Sequence, residues 1–154
     1  MTFTDGATNR RLRQHAGRLL LVDPHRAYSS VLAHVFTHAT FEVTTVPTGH
    51  AAARYLQTAD FDVVISEYHL GDGTGDQLLR EARQQPSHPL TVLMSADQQA
   101  RQHAHACQAD AWYYKGQPRR TLMTFLSHAL QERNPLLESE DDTNTNEQQE
   151  HCHA

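Results

Sequence analysis

The sequence has little of three things that define other classes of protein. Its 154 residues include only two cysteines, Cys107 and Cys152, which excludes a disulfide framework and favours a reduced, cytoplasmic protein. The longest strictly aliphatic run, residues 19–22, is far shorter than the ~20 apolar residues of a membrane span. The N-terminus lacks the pattern of a signal peptide. No membrane partner is therefore expected.

Positive charge is missing from the C-terminal end. The net charge is -5, and residues 134–154 contain six acidic residues but neither Lys nor Arg. Residues 1–133 carry 13 basic and 12 acidic side chains, and this balance gives no indication of direct nucleic-acid binding. A polar segment without aromatic residues cannot bury enough apolar surface to offset its ordering entropy. We predict a folded domain over residues 17–133, between a disordered N-terminal arm (1–16) and an acidic disordered tail (134–154).

Within the predicted domain, short apolar runs alternate with stretches of helical periodicity. Five β-then-α units imply right-handed crossovers and a parallel sheet with helices on both faces, which is an α/β fold. The predicted strands are β1 (18–22), β2 (41–46), β3 (61–66), β4 (90–95) and β5 (111–114). The predicted helices are α1 (27–39), α2 (49–58), α3 (76–85), α4 (98–108) and α5 (119–133).

Polar side chains stand where four of these strands end. Asp23 follows β1, Glu67 follows β3, Ser95 ends β4 and Lys115 follows β5. Binding sites of open parallel sheets lie outside the carboxyl ends of the strands, so these side chains are expected to converge. Lys115 is the only lysine beside 12 arginines, and a compact ammonium group is not interchangeable with a guanidinium group. We predict a small charged site there.

Four segments, in this order and spacing, resemble the receiver domain of two-component response regulators. They are LLLVD (19–23), DVVISEYHLGDGTG (62–75), VLMSA (92–96) and AWYYK (111–115). The resemblance covers residues 17–133. It implies a flavodoxin-like, doubly wound (βα)5 parallel sheet with strand order 2-1-3-4-5.

The resemblance implies a role for each residue of the site. Asp23 is similar to the first of the two acids that help to hold magnesium, and Glu67 stands where the family has its phosphate-accepting aspartate. Ser95 resembles the switch hydroxyl, and Lys115 resembles the lysine that pairs with the phosphoryl group. Trp112 stands at the aromatic position whose rotamer follows the switch.

Two further positions match the family through the backbone. His69 would offer its carbonyl oxygen to a metal ion, and Gly75 is similar to the glycine of the turn before α3. If any metal binds, its ligands are expected to be Asp23, Glu67 and this carbonyl group.

Three features depart from the family pattern. The acceptor position holds Glu67, the second metal-binding acid is replaced by Pro24, and Gly71 and Gly116 replace two prolines. Magnesium is typically held by carboxylates with water or phosphate, so with one carboxylate fewer we expect weak Mg²⁺ binding or none, and no other cofactor. Whether the Lys115–Gly116 peptide bond is cis or trans stays open.

The lengthened acid suggests a different use of the pocket. Glu67 reaches one methylene further than aspartate, and opposite charges at short range favour each other's ionised form. We expect it to pair with Lys115, with Ser95 as a second candidate partner. Such a contact would imitate the phosphorylated state in part, or lock one state.

These features favour a stand-alone, atypical pseudo-receiver that signals by contact with a protein and is not an enzyme. The resemblance implies that the partner is a histidine kinase, a downstream effector or a second copy of the chain, which would form a homodimer. It also implies that the partner binds to the face formed by α4, β5 and α5. One alternative is a receiver that is phosphorylated in a phosphorelay. Another, from a different class, is a small flavodoxin-like ligand-binding protein or enzyme, which is disfavoured because no Gly-rich loop follows β1.

Histidine is abundant, with 12 residues. His34 and His38 stand four apart on predicted α1, a spacing at which two imidazoles can bind one transition-metal ion. The other interpretation is two exposed polar residues on a helix face. The terminal residues 151–153 could also hold a soft metal ion.

Overall fold

The structure, a computed structural model, describes residues 16–133. The predicted tail (134–154) and all but the last residue of the predicted arm (1–16) lie outside the described residues, as do His151, Cys152 and His153. The chain divides into two compact units, of which the first extends to Gln117 and the second begins at Pro118. Among the described helices, none has the length and the apolar character required to cross a lipid bilayer.

The first unit contains a five-stranded parallel sheet. Its strand order is β2-β1-β3-β4-β5, as predicted. The strands are β1 (Gly17–Val22), β2 (Phe41–Val46), β3 (Val63–Glu67), β4 (Leu90–Ser95) and β5 (Ala111–Tyr114). Its helices are α1 (Arg26–His38), α2 (Gly49–Thr58), α3 (Gly75–Arg83) and α4 (Arg101–Ala106), the last preceded by a 3-10 turn, Gln98–Ala100.

The sheet is buried on both of its faces, because side chains of a strand alternate between faces and both sets are apolar. On one face, residues of β1, β3 and β4 such as Leu20, Val64 and Leu93 form a cluster with side chains of α2, α3 and α4. Neighbouring residues such as Leu21 point to the opposite face, which α1 covers. There Phe36 of α1 meets Phe41 of β2 edge-to-face, with ring centroids 6.0 Å apart.

Five predicted elements differ from those observed, and β1, α1 and α3 do so by one or two residues at an end. We predicted β3 from residue 61, but it begins at Val63. Phe61 is buried ahead of the ladder, and the side chain of Asp62 accepts a hydrogen bond from Arg18 N at 2.8 Å. We predicted one helix over 98–108, but α4 begins as a 3-10 turn and ends at Ala106. It ends there because Gln108 has a positive φ of 58°.

The second unit contains α5 (Arg119–Arg133), with the predicted bounds. Leu122 and Leu126 are its buried side chains, one helical turn apart, as expected for an amphipathic helix.

Candidate functional site

The structure brings the four polar strand-end side chains together. Asp23 and Lys115 directly follow β1 and β5, and Glu67 and Ser95 are the last residues of β3 and β4. These strands are neighbours in the parallel sheet, so their carboxyl ends open on one edge. All four residues belong to the first unit.

The ammonium group of Lys115 bridges two carboxylates. Its Nζ lies 2.8 Å from Asp23 Oδ2 and 2.7 Å from Glu67 Oε2. The Oε2 atom accepts no hydrogen bond of regular geometry, so its counter-charge is the ammonium group itself. The predicted pairing of Glu67 with Lys115 is therefore present.

A second set of contacts fixes the other oxygen of Glu67. Ser95 Oγ donates a hydrogen bond to Glu67 Oε1 at 2.8 Å, and the backbone N–H of His69 donates to the same oxygen at 3.2 Å. The hydroxyl oxygen of Ser95 accepts from Asp97 N at 3.1 Å. The carboxylate thus ties the end of β3 to the end of β4.

The charged cluster is almost closed to solvent. Asp23, Glu67 and Ser95 are 1%, 3% and 1% exposed, and the side chain of Lys115 is 10% exposed. The Tyr28 ring, from the first turn of α1, lies with its centroid 4.5 Å from Lys115 Nζ in a cation–π contact. Two negative charges and one positive charge leave the cluster with a surplus of one negative charge.

Gly75 allows α3 to start against the pocket. A Cβ atom at this position would lie 2.1 Å from the carbonyl oxygen of Glu67 and 2.8 Å from Ser66 Oγ. Only glycine permits this approach, so the end of β3 and the first residue of α3 are in backbone contact.

The loop between β3 and α3 is anchored at a second point, on α2. Both carboxylate oxygens of Asp72 accept hydrogen bonds, from Gly49 N at 3.1 Å and from His50 N at 2.9 Å. These bonds, chiefly the one from His50, lower the pKa of Asp72 below its ordinary value. Charge on the carboxylate is favoured there because the first turn of a helix has free N–H groups.

Two of the predicted positions remain, Trp112 and His69. Trp112 is half-buried on β5, in register with Leu93, and packs against the core, so its assignment as a switch residue stays a prediction. The backbone of His69 forms an isolated bridge with Thr74, and its assignment as a carbonyl ligand also stays a prediction. In the described chain no peptide bond is cis, so Lys115–Gly116 is trans.

Sequence reasoning missed three contacts at the edge of the site, which involve His25 and the side chains of His69 and Asp97. The backbone N–H of His25 donates to Asp23 Oδ1 at 2.8 Å, and its ring nitrogen Nδ1 lies 3.5 Å from the same oxygen. His69 Nε2 lies 3.3 Å from Asp97 Oδ2. The carboxylates of Asp23 and Asp97 each accept a hydrogen bond from the backbone N–H two residues later, as Asp and Asn side chains often do in turns. An aspartate at the start of a turn was therefore the sequence signal that could have predicted these contacts.

The side chains of the pocket that could ligate a magnesium ion are the carboxylates of Asp23 and Glu67. Mg²⁺ requires near-octahedral oxygen ligation. Over residues 16–133, no group of three or more His, Cys, Asp or Glu side chains is arranged to hold a metal ion. The two carboxylates of the pocket already lie against Lys115, and Pro24 has no side-chain donor.

The chain is similar to proteins of known family. A family model described as the response regulator receiver domain matches residues 19–124. A search of curated proteins finds no match.

Three solved structures are similar to this chain. A CheY-like receiver domain protein from Methanospirillum hungatei has 20% identity and a TM-score of 0.69, with 77% of this chain and 97% of that chain covered. Chemotaxis response regulator CheY4 of Vibrio cholerae has 25% identity and a TM-score of 0.65, over 72% of this chain and 96% of that chain. Response regulator TrrA from Thermotoga maritima, in complex with Mg²⁺-BeF, has 20% identity and a TM-score of 0.66, over 72% and 96%.

Proposed function

Because the chain belongs to the family of response regulator receiver domains, we propose that it is an atypical receiver, which signals by contact with a protein and without phosphorylation of its pocket. Receiver domains act in two-component signalling and are generally not enzymes. The finer proposal rests on the pocket of this chain and on the residues that it holds there.

A single observation carries the proposal. The ammonium group of Lys115 lies 2.7 Å from Glu67 and 2.8 Å from Asp23, and the hydroxyl group of Ser95 donates to Glu67. By resemblance, Lys115 and Ser95 are the groups that bind a phosphoryl group in the family, and Glu67 takes the acceptor position. Here both groups already bind a carboxylate of the chain itself. We propose that these contacts take the place of those to a phosphoryl group and keep the pocket in one arrangement.

Magnesium binding is proposed to be weak or absent. TrrA was crystallised with Mg²⁺-BeF, whereas Pro24 of this chain stands where the family has its second metal-binding acid. A positively charged Lys115 between the two remaining carboxylates competes with a dication for the same charges. Without a metal, the charge of a transferring phosphoryl group is largely unneutralised.

The partner is proposed to be a protein: a histidine kinase, a downstream effector or a second copy of the chain. Receiver domains interact with such proteins, and the face that we propose includes α4 and β5. Direct binding of nucleic acid or of a membrane is not proposed. The cytoplasmic location, the homodimer and the lack of catalytic activity stay predictions.

The test is phosphorylation by a small donor, read out by intact mass. The protein is incubated with acetyl phosphate and Mg²⁺, and we expect no added phosphate. The matched control is the double variant Pro24→Asp with Glu67→Asp, which restores the two carboxylates of the family pattern and is expected to gain phosphate.

A stoichiometric, Mg²⁺-dependent mass increase in the unaltered protein would favour the alternative, a phosphorylated receiver of a phosphorelay. Bound flavin or nucleotide in the purified protein would favour the alternative of a ligand-binding protein or enzyme of the same fold.

A further inference from the structure

The outer surface of α1 carries two histidines that the pocket does not use. His34 and His38 are both exposed and stand one helical turn apart. Their rings are in edge-to-face contact, with centroids 4.8 Å apart. Within residues 16–133, no hydrogen bond to another residue occupies a nitrogen of either ring. Both imidazoles are therefore available to an external ligand.

We propose that His34 and His38 together bind one divalent transition-metal ion, of the class of Cu²⁺, Ni²⁺ and Zn²⁺, through one ring nitrogen each. Imidazole nitrogen suits ions of this class, whereas carboxylate and carbonyl oxygens suit Mg²⁺ and Ca²⁺. Water completes the coordination of the ion, since no third His, Cys, Asp or Glu of the described chain joins the pair.

The separation of the two rings fits such a chelate. A metal–nitrogen bond of about 2.1 Å, with about 1.1 Å from nitrogen to ring centroid, places each centroid about 3.2 Å from the ion. For nitrogen–metal–nitrogen angles of about 90–109°, the two centroids are then about 4.5–5.2 Å apart. The observed separation of 4.8 Å lies within this interval. The present interplanar angle is 78°, and rotation about exposed side-chain torsions brings the two nitrogens to a common point.

The composition of α1 supports a nitrogen-donor site. Residues 26–38 contain no Asp or Glu, so no carboxylate of this helix competes for the ion or recruits Mg²⁺. The order of affinity expected for the pair is Cu²⁺ above Ni²⁺, with Zn²⁺ below Cu²⁺. Each imidazole alone binds weakly, and the second adds affinity because it acts within the same molecule.

The test uses the full chain with Cys152→Ser, a change that removes a competing thiol. Cu²⁺ is added in substoichiometric amounts, and paramagnetic broadening of the histidine ring signals is followed by NMR. We expect the signals of His34 and His38 to broaden first and together. In His34→Asn, the Cu²⁺ concentration that broadens the His38 signal should rise at least about tenfold, because the chelate is lost.

The matched control removes two exposed histidines that are not paired, His105→Asn with His128→Asn, and should leave the affinity at α1 unchanged. Equal broadening of all histidine signals in the Cys152→Ser protein would overturn the proposal. An unchanged His38 titration in His34→Asn would overturn it as well. The circular dichroism spectrum of each variant shows that the helices are retained.

Discussion

Two sets of ion pairs in this molecule have the same chemistry and opposite surroundings. In the pocket, the side chain of Lys115 is 10% exposed and lies 2.7–2.8 Å from two buried carboxylates. On β1 and β2, Arg18 Nε lies 3.8 Å from Glu42 Oε1, and the two side chains are 44% and 62% exposed. An exposed pair contributes about 0–1 kcal/mol, whereas removal of one partner from a buried pair costs about 3–5 kcal/mol.

The difference between the two sets of ion pairs is that charged side chains at the ends of the parallel strands are buried, whereas those within the strands are exposed. Arg18 and Glu42 lie within paired strands and project into water, where solvent screens them. Asp23 and Glu67 are buried where β1 and β3 end, and the ammonium group of Lys115 pairs with both of them. The buried set therefore specifies one arrangement of three strand ends, and the exposed set specifies none.

The largest effect is expected from Lys115→Met, which leaves two buried carboxylates side by side without a counter-charge. The free energy of unfolding should fall by about 3–5 kcal/mol. Urea denaturation measures it, with Arg54→Met as the control, because Arg54 is an exposed cation of α2. A loss no larger than that of the control would show that the ion cluster does not hold the strand ends together.

A smaller loss is expected from Gly75→Ala, because the added Cβ would lie 2.1 Å from the carbonyl oxygen of Glu67. Overpacking of this kind costs about 1–3 kcal/mol. The control is Gly49→Ala, whose Cβ would meet the flexible end of Leu70 at 3.3 Å. If both variants unfold at the same urea concentration, the contact between β3 and α3 is not as close as described.

The carboxylate of Asp72, on an exposed side chain, contributes to stability in a way that depends on pH. Hydrogen bonds from His50 and Gly49 lower the pKa of Asp72 below 3.8. The pKa of Asp72 is lower in the folded than in the unfolded protein. Its contribution to stability is therefore complete at a pH above the unfolded pKa, and it is lost as the pH falls through the folded pKa. The loss therefore occurs below about pH 4.

Asp72→Asn should lower stability at pH 7 by about 0.5 kcal/mol or less, because the side chain is exposed and screened. The melting temperatures of the unaltered protein and of Asp72→Asn should converge as the pH is lowered from 5 to about 2.5. A difference that stays constant with pH would assign the effect to something other than the charge of Asp72.

The smallest effect is expected from Glu42→Gln, which breaks the exposed pair with Arg18. The free energy of unfolding should change by less than about 0.5 kcal/mol, and less again at high salt. A loss comparable to that of Lys115→Met would remove the distinction between the two sets of ion pairs.

Much of the fold could be predicted because the apolar runs and the helical periods are local signals. The bounds of β2, β4 and β5 and of α2 and α5 match the structure. The start of β3 could not be predicted, since it depends on a hydrogen bond between Asp62 and Arg18 across two strands. The end of α4 could not be predicted either, because the left-handed Gln108 is held by carbonyl contacts with the distant Arg83.

The site could be predicted in part for a similar reason. Asp23, Glu67, Ser95 and Lys115 were found because parallel strands bring their carboxyl ends to one edge of the sheet. The cover formed by Tyr28 was not found, because it depends on how the first turn of α1 approaches Lys115. The position of Tyr28 depends on the conformation of the loop before α1, and a loop has no periodic sequence pattern from which its conformation could be predicted.

The most direct test follows from the single lysine of the chain. A sample labelled with ¹⁵N-lysine has one side-chain ammonium signal, that of Lys115. We expect a signal that is protected from solvent exchange and does not shift when Mg²⁺ and beryllofluoride are added, because Asp23 and Glu67 already hold the group. A stoichiometric, Mg²⁺-dependent shift of that signal would contradict the account.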